Sequence, residues 1–304
     1  MRGRGEILGW RLTALGMLAA LLLLGGCGSS SDSSSPEPTG TRGEVDFDAR
    51  RAYSLVRLQV EAGQRPAGSP QLRKVGDELV HLLPGGRFEP LPGQPGLRNI
   101  VGRIPGEEPA IVLGAHYDTL VEPKGFVGAN NGAAGSAVVI EAARALESAG
   151  LPDGREIRFV LFDGEEPAGA IPDTAAEFYR QGLRGSRAYV AAHPDQTEAM
   201  VLLDYVGHRG LKLTREEDST PWLWRRLFEA AGTVGASRFF GEGTGAAILD
   251  DHTPFRRAGV PAVDLIDWRY PGHSLADGLD KISVESLGGV GDAVAQLAAE
   301  LRAE

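Results

Sequence analysis

The sequence predicts an α/β fold, a sheet sandwiched between helices, and two observations lead there. Strand-like apolar runs at 99–104, 110–115, 157–162, 200–203 and 262–266 alternate with stretches of helical apolar spacing. Alternation of this kind is what builds a sheet covered by helices. Hydrophobic residues make up 42% of the 304, enough for a sizeable core and too many for a disordered chain.

The elements follow in order along the chain. Arg2, Arg4 and Arg11 form a basic start, and the apolar run at 14–24 is too short for a comfortable membrane span. It ends in Leu24-Gly25-Gly26-Cys27, which resembles a bacterial lipobox. The resemblance implies that 1–27 is a lipoprotein signal peptide. Cys27 would then carry the lipid, become the mature N-terminus and anchor the protein outside the cytoplasm to the cell membrane. An ordinary signal peptide with an incidental cysteine is the alternative. Because Cys27 is the only cysteine, there is no internal disulfide and no multi-thiolate metal site. Residues 28–44 read as a flexible Ser-rich tether, and 45–304 as one domain.

Within that domain, 49–62 and 71–83 have helical spacing, with a turn at 65–70 between them. Further helices are expected at 133–149, 175–192, 221–232 and 283–302. The net charge of −10 comes without a Lys/Arg cluster, which argues against nucleic acid as a partner. The glycine-rich stretch 128–135 lacks the Lys-Ser/Thr end of a nucleotide loop.

Sites in open α/β sheets gather at the carboxyl ends of strands. His116 and Asp118 follow the 110–115 run, and Asp163, Glu165 and Glu166 follow 157–162. Asp204 ends 200–203. Asp267 and His273 follow 262–266, and Asp250, Asp251 and His252 precede it. Imidazoles and carboxylates can thus converge on one sheet edge. A cysteine-free His/Asp/Glu cluster is the donor set of catalytic zinc sites. Singly, each of these acids is as well explained by a helix cap or a solvated loop.

Several blocks in order carry a resemblance. They are Arg-Pro-Ala-Gly-Ser at 65–69, Gly-Ala-His-Tyr-Asp at 114–118, Gly-Ala-Asn-Asn-Gly-Ala at 128–133 and Phe-Asp-Gly-Glu-Glu at 162–166. Gly-Ser-Arg at 185–187, Leu-Leu-Asp-Tyr-Val-Gly at 202–207, Asp-Asp-His-Thr-Pro-Phe-Arg-Arg-Ala-Gly-Val-Pro at 250–261, His273 and Asp280-Lys281 complete the series. From about Arg65 onward the chain resembles the co-catalytic zinc aminopeptidases, a family that also contains the glutaminyl cyclases. The 162–166, 202–204 and 250–255 blocks look closer to the cyclase branch. The resemblance implies a three-layer zinc-exopeptidase-like fold with a central mixed, mostly parallel sheet flanked by helices. It also implies that Glu166 and His273 ligate zinc, that Glu165 is the general acid/base, and that Asp251 is a carboxylate beside it. His116 and Asp204 match ligands of a second zinc in the aminopeptidases. In the single-zinc cyclases the residue at Asp204 orients substrate instead. Asp118 matches the partner that orients His116.

One departure stands out. The family has Asp where this chain has Asn131, and that residue ligates zinc in both branches. A neutral amide compensates two dications poorly, which favours one zinc over two. The alternative role for Asn131 or Asn130 is a cap for the helix that follows. A second departure is Gly272, immediately before His273, near where the cyclases carry a tryptophan. Trp268 and Tyr270 are candidates for a pocket wall or for ordinary packing. His81 and His193 are read as surface histidines and His252 as locally hydrogen-bonded, while His208 has no counterpart in the family.

The expected function is a zinc-dependent enzyme acting on peptide or protein N-termini, favoured as a glutaminyl cyclase. A zinc aminopeptidase is the first alternative, and a noncatalytic binding lipoprotein on the same fold is the second.

Overall fold

The computed structural model describes residues 45–304, so Cys27 and the 28–44 tether lie outside the described residues. Helix α1 (Ala49–Glu61) begins at Asp48, whose carboxylate accepts from the backbone N–H groups of Arg50 and Arg51. Helix α2 (Pro70–Leu79) is capped by Ser69, with Pro70 in the first turn where its missing N–H costs nothing. The expected 71–83 helix ends earlier, because 80–82 tighten into a 3₁₀ turn.

The strands are β1 (Arg87–Pro90), β2 (Arg98–Ile104), β3 (Glu107–His116), β4 (Arg155–Phe162), β5 (Thr197–Leu203) and β8 (Ala262–Leu265). They form one sheet in the order β1-β2-β4-β3-β5-β8. Strands β4, β3, β5 and β8 are mutually parallel, while β1 and β2 add an antiparallel edge. This is the mixed, mostly parallel sheet the resemblance implied.

Residues of β3 alternate between two cores, as the two-residue period of a strand requires. Ile111, Leu113 and Ala115 face the side covered by α1, α3 (Gly135–Ser148) and α8 (Val284–Arg302). Val112 faces the other side, among Phe162, Met200, Leu202, Tyr189 and Phe255. The last two come from α5 (Arg184–Ala192) and α7 (His252–Arg257). Gly114 is required on that face, since a Cβ there would lie 2.7 Å from the Phe162 ring.

Three departures from the expected elements have identifiable causes. The 175–192 stretch is two helices, α4 (Ala175–Gln181) and α5, broken at Gly182 and Leu183. The break lets the N–H groups of Leu183 and Arg184 donate to the carbonyls of Glu165 (3.0 Å) and Gly164 (2.9 Å). Helix α3 starts at Gly135 rather than 133 and has no side-chain cap, so neither Asn130 nor Asn131 caps it. Both asparagines are spent on other contacts. Finally, β1, β6 (Leu213–Arg215) and β7 (Phe240–Thr244) had no sequence signal: each is short, and β7 carries two glycines. Helix α6 (Pro221–Thr233) packs on α8 and completes the helical layer.

Candidate active site

The parallel strands all end at the same sheet edge, and the turns leaving them carry the site. His116 ends β3 and Asp118 follows it, Glu165 and Glu166 follow β4, and Asp204 and Tyr205 follow β5. Trp268 and His273 lie on the loop after β8. Residues 129–131 precede α3, and Asp250 and Asp251 precede α7.

Asp118 is the organiser of this edge. Its two oxygens accept from the backbone N–H groups of Glu165 and Glu166, both at 3.2 Å. They fix the turn that presents the paired glutamates. Oδ1 also lies 3.4 Å from His116 Nδ1. The other ring nitrogen, Nε2, lies 3.5 Å from Asp204 Oδ1. Burial alone would lower the His116 pKa, but contact with Asp118 and Asp204 carries it well above the ordinary value.

Around Glu166 a second group converges. Asn131 Nδ2 donates to Glu166 Oε1 at 2.8 Å and to Tyr205 Oη at 3.3 Å. His273 Nε2 lies 4.0 Å from the same Oε1. Tyr205 holds a left-handed backbone (φ 49°), a costly conformation for a bulky residue and one that clusters at functional sites. Its ring lies where a side chain at 272 would stand: a Cβ on Gly272 would fall 2.3 Å from it. Gly272 is therefore needed by Tyr205, which stacks in turn on Trp268 at 5.8 Å.

The acids are short of compensating charge. Burial, and then the neighbouring Glu166, push Glu165 well above the ordinary carboxyl range. Burial likewise raises Glu166 to about 8 and Asp250 to about 6. Asp251 is raised by burial and by Asp250, while its Oδ1 accepts from Ser186 Oγ. Its other oxygen is buried without a hydrogen-bond partner, as is Asn131 Oδ1, and the His116 nitrogens have only the 3.4 Å and 3.5 Å contacts to Asp118 and Asp204.

The floor of a cavity of about 430 Å³ is formed by Asn131, Glu165, Glu166, Asp204, Asp250 and His273. Ile171, Phe178, Ile248, Leu249 and Trp268 make its apolar walls. Sequence reasoning brought His116, Asn131, Glu165, Glu166, Asp204 and His273 to this edge, and all are there. Asp251 lies under it, bonded to Ser186. Tyr270 is not a wall; its hydroxyl donates to Asp277 Oδ1 at 2.7 Å.

Asp277 itself had no sequence signal. Its carboxylate accepts from the N–H groups of Asn130 (2.8 Å) and Asn131 (3.0 Å), which sets the turn that carries Asn131. Asp280, three residues on, is exposed and paired with Lys281. Tyr205 carries no sequence signal of its own, and its positive φ and its contacts with Asn131, Trp268 and Gly272 are visible only in the structure.

The donor set suits a cation. Buried carboxylates in excess and unpaired buried acceptors are what a bound dication compensates. Among the described residues, no three His, Cys, Asp or Glu side chains converge to hold an ion by themselves. Glu166 and His273 are a pair, and the third member of their group is the neutral Asn131.

A mostly parallel sheet flanked by helices, whose carboxyl edge carries paired glutamates, an imidazole and a walled cavity, is a zinc-exopeptidase-like α/β fold. The chain belongs to peptidase family M28, whose model matches residues 99–298. It is 26% identical over 242 residues to the glutaminyl-peptide cyclotransferase of Bos taurus. That match covers 62% of this chain and 63% of the bovine protein's own length. The crystal structure of an Acidobacteriales bacterium glutaminyl cyclase superposes with a TM-score of 0.74 at 29% identity, over 91% of this chain and 99% of that one. A Zn-dependent exopeptidase from Parabacteroides distasonis superposes at 0.71 and 25% identity, over 83% and 98%.

Proposed function

We propose that the protein is a zinc-dependent enzyme acting on peptide N-termini, and that it converts an N-terminal glutamine to pyroglutamate with release of ammonia. The observation that carries this reading is the cavity: an acidic floor that attracts a peptide's amino terminus, under apolar walls. The similarity to glutaminyl cyclases supports it.

Zinc would be held by Glu166, His273 and the Asn131 amide oxygen. When bound, it supplies Lewis acidity that polarises the γ-carbonyl of the glutamine. Asp204, on the floor, orients the N-terminal amine. The amine nitrogen, in its neutral form, attacks the side-chain carbonyl carbon Cδ, a new N–Cδ bond closes the five-membered ring, and the bond from Cδ to the side-chain nitrogen breaks. Glu165 accepts the proton released by the amine and delivers it to the departing ammonia. A carboxylate that burial and the neighbouring Glu166 make more basic than usual is suited to that exchange. The imidazole of His116, held between Asp118 and Asp204, keeps Asp204 in place. An aminopeptidase differs in using water as nucleophile, with Glu165 as its base. The lipobox resemblance supports attachment to the outer face of the cell membrane through Cys27.

Glu165→Gln tests the assignment. The variant keeps size and zinc affinity, and turnover of a Gln-capped peptide should fall about a hundredfold or more. Turnover near wild type would refute the role of Glu165.

A further inference from the structure

In the family pattern a carboxylate stands at position 131, beside the glutamate at 166. Two carboxylates within hydrogen-bond distance repel, and a cation between them is what makes the pair tolerable. Here the arrangement is different. Asn131 turns its nitrogen, not its oxygen, toward Glu166, with Nδ2 2.8 Å from Oε1 and 3.3 Å from Tyr205 Oη. The amide oxygen is buried and unpaired. The backbone beneath it is fixed by Asp277 through the N–H groups of Asn130 and Asn131.

We infer that the Asn131 amide is a built-in substitute for the cation: it ties Glu166 to Tyr205, keeps the centre assembled without metal, and must turn over before its oxygen can join a bound ion. Two consequences follow. The metal-free protein is stable, because an N–H donor replaces the positive charge that Glu166 would otherwise lack. Metal uptake is weak, because binding breaks the Asn131–Glu166 hydrogen bond and gains only a neutral ligand. The inference deepens the zinc reading through the choice of probe. Its readouts, metal affinity and thermal stability, need no turnover, so failure of the cyclase assignment would leave it standing.

The test compares wild type, Asn131→Asp and the double variant Asn131→Asp/Glu166→Gln. Zinc affinity is measured by chelator competition, and melting temperature in excess chelator and in zinc, all at pH 9. Intact mass confirms that residue 131 is still an amide in the wild-type protein used. Asn131→Asp should bind zinc roughly ten- to a hundredfold tighter, the range a partner of a metal ligand commands. In chelator it should melt lower by about 4 °C or more, and zinc should restore it. The double variant exchanges amide and carboxylate, so it keeps the hydrogen bond in reverse. Its melting temperature in chelator should return toward wild type. Equal zinc affinity in wild type and Asn131→Asp, or equal melting in chelator, overturns the inference. If Asn131→Asp fails to fold even in zinc, a folded double variant upholds the inference and an unfolded one overturns it.

Discussion

Asp277 is the test of how the site is built. It is buried at 1% exposure and accepts from two backbone N–H groups and from Tyr270 Oη, at 2.7–3.0 Å. Asp277→Ala would strand two N–H groups and one hydroxyl where water does not reach. An unpaired buried donor costs about 1–3 kcal/mol, so the two N–H groups alone imply a loss of about 2–6 kcal/mol. Arg65 adds to this. Its guanidinium is fully buried and donates only to backbone carbonyls of Tyr117, Val127 and Gly128 and, more distantly, Gln59. Burial pulls its pKa down to about 10, while the charges of Asp118 and Asp277 act in the opposite sense. Removing Asp277 takes away one of those two supports. Tyr270→Phe is the graded control, since it removes one hydroxyl and should cost about 1 kcal/mol. Urea unfolding followed by fluorescence measures both through the midpoint at constant slope. A loss below 1 kcal/mol for Asp277→Ala would refute the claim that this carboxylate sets the 130–131 turn. So would a Tyr270→Phe loss equal to that of Asp277→Ala.

Three further outcomes are expected. Burial would raise the Glu216 pKa, but His252 beside it and the N–H groups of Asp218 and Ile248 bring it down from 4.5 to about 2. At about 1.4 kcal/mol per tenfold change in proton affinity, the shift is worth about 3 kcal/mol. A depressed carboxyl stabilises above its unfolded value, and the contribution disappears as pH falls from about 4.5 toward 2. Glu216→Gln should therefore lose most of that stability at pH 7 and show a flatter stability profile below pH 5, and equal profiles in urea unfolding would contradict this. Because Glu216 also holds Ile248 in the cavity wall, amide exchange at 246–250 should quicken in the variant. Separately, Cys27→Ser should release the protein from the membrane fraction and abolish lipid addition at the mature N-terminus, and unchanged fractionation together with an unchanged N-terminal mass would contradict the anchor.

Much of this architecture was legible because its signals are local. The apolar runs that became β3, β4 and β5 are long and buried, and the acids that follow them stand at strand ends by topology alone. Strands β6 and β7 were not legible, since Leu-Thr-Arg and Phe-Gly-Glu-Gly-Thr, unlike the equally short β8, contain no apolar run. The break between α4 and α5 could not be read either. It is caused by contacts with Gly164 and Glu165, far away in sequence. Asn131 was identified as a departure, but which of its two amide atoms faces Glu166 depends on Tyr205 and Asp277. One lies on the turn after β5, the other on the loop that leads to α8. Asp277 was missed for a related reason: the two backbone N–H groups it holds lie 146 and 147 residues away, and nothing near it marks an acid as buried.

The central claim is tested most directly by assaying one purified protein, of known zinc content, on a Gln-capped and a Leu-capped peptide of otherwise equal sequence. The account predicts ammonia and a pyroglutamyl product from the first, no free leucine from the second, and loss of activity when zinc is stripped. Release of leucine with no cyclisation would contradict it in favour of an aminopeptidase, and binding of both peptides without turnover of either would contradict it in favour of a noncatalytic receptor.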